Sequence, residues 1–263
     1  MKKRVLSAVV MLTVALSAVF LSEISRVLFF AAAGLLCAYE LSRNLEKLEV
    51  YCCAWVMYTY ICVQALLSIL HMGPVAYLAC FCVGVYLALF SGILHRKVRG
   101  AGALYTVAGL GYPCFLFGML MMISVSPIWL PTLVYGCVAT WVCDSFALFG
   151  GMRFGKHKVA PEVSPKKTWE GCICGALSSL VVAPILWLLP AFPEVGLGTA
   201  LLTCFLSSTL GQIGDLGESL IKRMIGIKDF SNLIPGHGGM FDRADSLLFG
   251  IPTAFICLHF AGL

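Results

Sequence analysis

Residues able to do chemistry are gathered in two short stretches of this chain. Of its 31 Asp, Glu, Lys and Arg side chains, 17 fall within residues 144–170 and 215–245, less than a quarter of the length. In the second stretch Asp215, Glu218, Ser219 and Lys222 recur at i, i+3, i+4 and i+7. A helix through them would carry two acids, a hydroxyl and an amine on one face, able to hold a divalent cation beside a phosphate. A surface pair with Lys222 is explanation enough for Glu218. It is not enough for Asp215, which emerges straight from an apolar run. The run Ile234-Pro235-Gly236-His237-Gly238-Gly239 is too glycine-rich for a helix, and glycines let a backbone approach a phosphate closely. Asp242 and Asp245 then stand three apart at the start of the last apolar run. Helix capping accounts for one of them more comfortably than for both. Hard oxygen groups without converging His or Cys suit Mg²⁺ better than zinc.

The first stretch opens with Asp144, toward the end of an apolar span, where an acid is costly unless it meets a cation, water or a metal. It is a functional candidate on that ground, with a purely structural pairing to Arg153 or a lysine as the alternative. Arg153, Lys156, His157, Lys158, Lys166 and Lys167 follow, interspersed with Gly150, Gly151 and Gly155. Basic side chains beside exposed backbone N–H groups are what a polyphosphate needs. The loops of membrane proteins on the inner side are basic whatever they do, and that alone could account for Lys156 and Lys158. Ser164-Pro165-Lys166-Lys167-Thr168 is different, because it leads into a helix start whose free N–H groups could meet an anion.

The elements that must carry these residues are membrane helices. The chain has 263 residues, is 60% hydrophobic and only 12% charged, and has a mean hydropathy of +0.94; a soluble domain is about 25% charged. The expected fold is all-α, a polytopic membrane protein of about nine transmembrane helices, over 5–21, 24–39, 50–70, 74–94, 103–124, 127–149, 172–191, 197–214 and 246–262. Arg26, early in the second and shortest, is expected to snorkel to the interface. Residues 1–100 would form an N-terminal group of about four spans. Residues 101–263 would form a catalytic group of about five with two charged loops. Met1-Lys-Lys-Arg followed by an apolar run resembles a secretory signal, and an uncleaved first span is the preferred reading. With that end inside, every strongly basic connection falls on the same side, so the polar site would sit at the cytoplasmic ends of the C-terminal helices. Most of the thirteen cysteines lie in apolar runs, where Cys acts as a small hydrophobe.

At this point the residues resemble a known family, the phosphatidate cytidylyltransferases, or CDP-diacylglycerol synthases. Ser219, Lys222, Arg223, Lys228, Asp229, Ser231, Pro235, His237, Gly238, Gly239, Asp242, Arg243 and Asp245 stand at the spacing of its signature. Asp144, Gly151, Phe154-Gly155-Lys156 and Ser164 through Gly171 resemble its upstream pattern. Ala244 and Cys143 depart from it without touching a charged position. The resemblance covers the C-terminal half and implies an enzyme that converts CTP and phosphatidate to CDP-diacylglycerol and pyrophosphate. It implies Mg²⁺ on Asp215 and Asp242, with Asp144 a weaker ligand, and leaves room for a second cation such as K⁺. Lys167, Lys222, Arg223 and Arg243 would neutralise the triphosphate and the lipid phosphate, and His237 with Gly238 and Gly239 would shape the phosphate cradle. Ser164, Lys166, Thr168, Ser219 and Lys228 would complete the nucleotide contacts.

The expected partners are CTP and a phosphatidate held in the bilayer, with no nucleic acid; a homodimer is compatible with the pattern. The expected location is the cell's inner membrane, crossed many times. Two other functions share part of this logic. A CTP-dependent polyprenol kinase would use the same phosphate chemistry on an alcohol, with a base such as His237. An ion or anion transporter would use Asp144 and Asp215 as relay groups, although the charges lie in loops on one side and no inverted repeat is visible.

Overall fold

The computed structural model describes residues 2–233, 236 and 238–263, with side chains from residue 9 onward except Arg99. Its long elements are all helices, as an apolar surrounding demands, because a helix satisfies its own backbone donors and acceptors. In chain order they are α1 (Lys2–Leu21), α2 (Glu23–Leu45), α3 (Ala54–Ile69), α4 (Pro74–Leu94), α5 (Arg99–Gly109), α6 (Leu116–Ser124), α7 (Trp129–Phe154), α8 (Trp169–Leu177), α9 (Ser179–Trp187), α10 (Leu197–Ile225), α11 (Phe241–Ala244) and α12 (Leu247–Phe260). Between α7 and α8 lies a short antiparallel hairpin, β1 (Lys158–Ala160) and β2 (Ser164–Thr168), with Lys158 opposite Thr168.

Each of the nine expected spans falls on a helix, but among the described residues six segments are long and apolar enough to cross a membrane. They are Glu23–Leu48, Pro74–Leu94, Gly100–Ser124, Trp129–Phe154, Trp169–Trp187 and Leu197–Ile225. Val9–Leu21 and Ala54–Ile69 are shorter apolar helices. With 14 residues, α12 reaches about 21 Å, against a hydrocarbon core of about 30 Å. The second span, expected to be the shortest, belongs to one of the longer helices. Glu40, Arg43 and Asn44 interrupt its hydropathy without ending it, and Glu40 and Asn44 are buried.

The chain forms two compact units, residues 1–126 with 225–243, and residues 127–224 with 244–263. In the first, α2 packs on α1, α3 and α6 around Val27, Cys37, Leu41, Met57, Ile61 and Met121. Arg26 does not snorkel here. It is buried, and its guanidinium donates to the carbonyl oxygens of Ser124 at 3.1 Å and Val19 at 3.3 Å, acceptors that helix ends leave open.

In the second unit Tyr135, Ala139, Ala183, Cys204, Ala254 and Leu258 form the core. Helices here approach through small residues, the usual device where no hydrophobic force separates helix from lipid. A Cβ added at Gly136 of α7 would lie 2.7 Å from Ile251 Cα of α12. Three crossing segments follow one another, α7, then α8 with α9, then α10. Their alternation puts the hairpin and the C-terminal end of α10 on one side, and residues 188–196 on the other.

Candidate active site

Helix α10 carries the first part of the site. It has 29 residues, about 43 Å of helix, so the apolar stretch 197–214 spans the hydrocarbon and the rest emerges from it. Asp215 is the first charged residue past that stretch. One turn on, Glu218 is fully buried and pairs with Lys222 at 2.5 Å. Carboxylate oxygens of Asp215, Glu218 and Asp245 all lie within 4.8 Å of one another. Gly214 makes this possible, since a Cβ there would sit 2.6 Å from the carbonyl oxygen of Asp245 and 2.5 Å from the Phe249 ring. Burial and the neighbouring Asp215 push the Asp245 carboxyl up to about 7, although the Ser246 N–H donates to it at 2.7 Å. Three acids held this close repel, and a hard cation relieves the repulsion. All three donors are oxygens, which suits Mg²⁺.

The hairpin carries the second part. Lys167 reaches from β2 to an ion pair with Asp215, and its amine also donates to the carbonyl of Gln212 at 3.4 Å. Lys158, Lys166 and Lys167 line a cavity of about 520 Å³, with Asp144 and Asp215 in the same wall. The hairpin is tied down at both ends. Arg223 of α10 donates to the carbonyl of Val163 in its turn at 3.2 Å. At its other end Glu170 accepts from the amides of Lys156 at 3.1 Å and His157 at 3.2 Å, and pairs with the His157 ring at 2.6 Å. The α8 helix start is largely self-satisfied: Thr168 Oγ1 accepts from Gly171 N–H at 3.2 Å, and Trp169 N–H donates to His157 O at 2.9 Å. An anion near this helix start therefore meets lysines before free amides.

The loop after α10, in the other unit, is built on carboxylates. Asp242 Oδ2 accepts from the amides of Phe230 at 2.9 Å and Gly239 at 2.8 Å. Gly238 has φ +87°, and a Cβ there would meet Asp242 Oδ2 at 3.0 Å, so glycine is required on both counts. Lys228 and Arg243 are exposed on this loop.

The sequence-predicted residues are thus distributed. Asp144, Lys166, Lys167, Thr168 and Asp215 share the cavity; Ser164 lies at the start of β2, and Ser219 is half-buried on α10 beside the Glu218–Lys222 pair. Asp242, Gly238 and Gly239 form one hydrogen-bonded turn. His237 lies outside the described residues, as do Ile234 and Pro235. The acids that converge are Asp215, Glu218 and Asp245. The surface-pair reading of Glu218 does not include its burial, and the spacing of Asp245 from Asp242 does not show its nearness to Asp215 and Glu218. Both stood in the sequence at the spacing that signalled them. Glu40 lies in a mixed-charge stretch that suggests a connection, yet it is an acid at the end of an apolar run, the same signal that singles out Asp144.

Fold and site together define a multi-pass helical membrane protein with acids and lysines converging where its longest helix leaves the apolar layer. The sequence matches the cytidylyltransferase family over residues 2–261. It is 32% identical to a phosphatidate cytidylyltransferase of Brucella abortus over 254 residues, 94% of this chain and 89% of that protein. A protein of the same name from Rickettsia bellii is 35% identical over 72% of this chain and 82% of its own length. One from Bacillus subtilis is 46% identical over 124 residues, which is 47% of this chain and 46% of that protein. The chain belongs to the cytidylyltransferase family.

Proposed function

We propose that this protein transfers a cytidylyl group from CTP to phosphatidate, giving CDP-diacylglycerol and pyrophosphate. A phosphate oxygen of the lipid attacks the α-phosphorus of CTP, the bond to the β-phosphate oxygen breaks, and pyrophosphate leaves. The nucleophile is already an anion, so no strong base is needed, and catalysis reduces to positioning and charge neutralisation. The observation that carries this reading is the pairing of Lys167 with Asp215, where the lysine-lined cavity meets the three converging acids.

Asp215, Glu218 and Asp245 would hold a hard divalent cation, Mg²⁺, whose contribution is to offset the charge of the phosphates. Asp242 is left out of this set because its Oδ2 is engaged with two loop amides. Asp144, in the cavity wall with Asp215, is the group available to a second cation such as K⁺. Lys158, Lys166 and Lys167 would receive the triphosphate, and Lys222 and Arg223 would hold the acid face and the hairpin in register. Lys228 and Arg243 would meet phosphate from the loop. The lipid tails stay in the bilayer, and CTP arrives from the aqueous side. The basic connections favour the cytoplasm as that side, and the membrane would be the cell's inner one.

The test is incubation of purified protein with α-labelled CTP, phosphatidate and Mg²⁺. Label appearing in the lipid phase, and its absence when phosphatidate or Mg²⁺ is omitted, supports the reading. Label reaching lipid only from γ-labelled CTP would make the protein a kinase instead.

A further inference from the structure

Glu40 is an acid on a membrane helix, only 3% exposed, and the chemistry above makes no use of it. An acid in such a place is costly and calls for a partner. Its partners all come from the loop after α10. Oε1 accepts from the Ser231 hydroxyl at 2.6 Å and from Met240 N–H at 3.0 Å, and Oε2 accepts from Phe241 N–H at 2.9 Å. The fit is close: a Cβ on Gly239 would lie 2.6 Å from Glu40 Oε1 and 2.7 Å from Oε2. One turn further along α2, Asn44 donates from its amide to Phe230 O at 2.7 Å. Residues i and i+4 share a helix face, so one face of α2 grips the loop at its beginning and its end. Asp242 completes the frame from within, accepting from Phe230 and Gly239.

We infer that Glu40 is a positioning residue for the proposed reaction. It fixes the turn 239–241 and Ser231, and so sets where the loop presents Lys228 and Arg243 to phosphate. A carboxylate suits this task because it only accepts, and every group facing it donates. Glutamine has the same shape but turns one acceptor into an –NH₂ that opposes an N–H or O–H.

The inference rests on the cytidylyl-transfer reading, and its test separates the two. Wild-type protein, Glu40→Gln, Ser231→Ala and the double variant are purified in full. Backbone hydrogen exchange is followed over residues 238–242, and transfer kinetics are measured with both substrates. In Glu40→Gln, exchange over 238–242 is expected to quicken by about tenfold, as buried hydrogen bonds are lost. KM for CTP or phosphatidate is expected to rise by about fivefold or more. The double variant is expected to be no worse than Glu40→Gln alone, because both changes break the same network. A purely structural role would lower yield and melting temperature but leave KM for both substrates unchanged in the surviving enzyme, and that outcome overturns the inference. So does unchanged exchange. If wild-type protein transfers no label to lipid, the reaction reading fails, while the exchange data still decide whether Glu40 holds the loop.

Discussion

Glu218 is fully buried where its spacing suggests a surface pair, and Asp242 spends one carboxylate oxygen on two amides of its own loop. An i,i+4 acid–base pair on a helix surface contributes only tenths of a kcal/mol, and spacing alone gives Glu218 no more than that. With no exposure, paired to Lys222 and near Asp215 and Asp245, it belongs to a charged cluster whose members depend on one another. Asp242, read as a metal ligand, is bound to two amides of its own loop. Two substitutions separate these roles. Asp245→Asn keeps an oxygen for the Ser246 amide but removes a charge from the acid cluster. Turnover should fall about 100-fold, close to 3 kcal/mol of transition-state stabilisation, with little change in melting temperature. Asp242→Ala should show the reverse balance, a loss of stability of about 1–3 kcal/mol from two loop amides left without their acceptor, visible as a lower melting temperature. Proton and cation compete for Asp245, whose carboxyl is raised to about 7. Activity at limiting Mg²⁺ should therefore rise with pH through about 7 and reach half its maximum at lower pH as Mg²⁺ is increased. A midpoint that ignores Mg²⁺ would remove Asp245 from the cation site.

Among the elements, α10 was the most legible and the hairpin the least. Asp215, Glu218, Ser219 and Lys222 have helical spacing, and the helix does continue through them to Ile225. The hairpin's strands are three and five residues long, with lysines where an alternating apolar pattern would have announced them. What secures it lies elsewhere, in Arg223 and Glu170, and no local pattern predicts such distant partners. Glu40, Arg43 and Asn44 suggest a connection after residue 39, but tertiary hydrogen bonds keep the first and last in a buried helix. Two glycines three residues apart on α10 test how the helix positions the acids. Gly214 has Asp245 O and the Phe249 ring in the space of a Cβ, whereas at Gly217 nothing lies within 4 Å. Gly217→Ala should leave activity intact and add up to about 1 kcal/mol of stability from helix propensity. Gly214→Ala should push α10 away from residues 245–249 and lower turnover several-fold despite the same gain in propensity. Equal activity in the two variants would show that the close approach at Gly214 does not set the acid cluster.

For the molecule as a whole, hydropathy located the helices well, and among the described residues six segments are long and apolar enough to cross. The signature stretch 215–245 also divides between the two compact units, with 225–243 in one and the rest in the other, a division that no charge pattern reveals. Orientation is where whole-chain reasoning makes its sharpest prediction. Successive crossings by α7, α8 with α9, and α10 put the hairpin turn and the Lys222 end of α10 on one side, and residues 188–196 on the other. The first side carries Arg153, Lys156, Lys158, Lys166, Lys167, Lys222 and Arg223, while 188–196 carries only Glu194. Basic residues are retained on the cytoplasmic side during insertion, so the proposed reaction would draw its CTP from the cytoplasm. A protease site inserted at the hairpin turn, beside exposed Glu162, should be cut in inside-out vesicles and spared in right-side-out ones. A site inserted at Gly196 should behave oppositely. Cleavage of both sites from the same face would mean that α8 with α9 does not cross, and the cavity lysines would then need another route to the acids of α10.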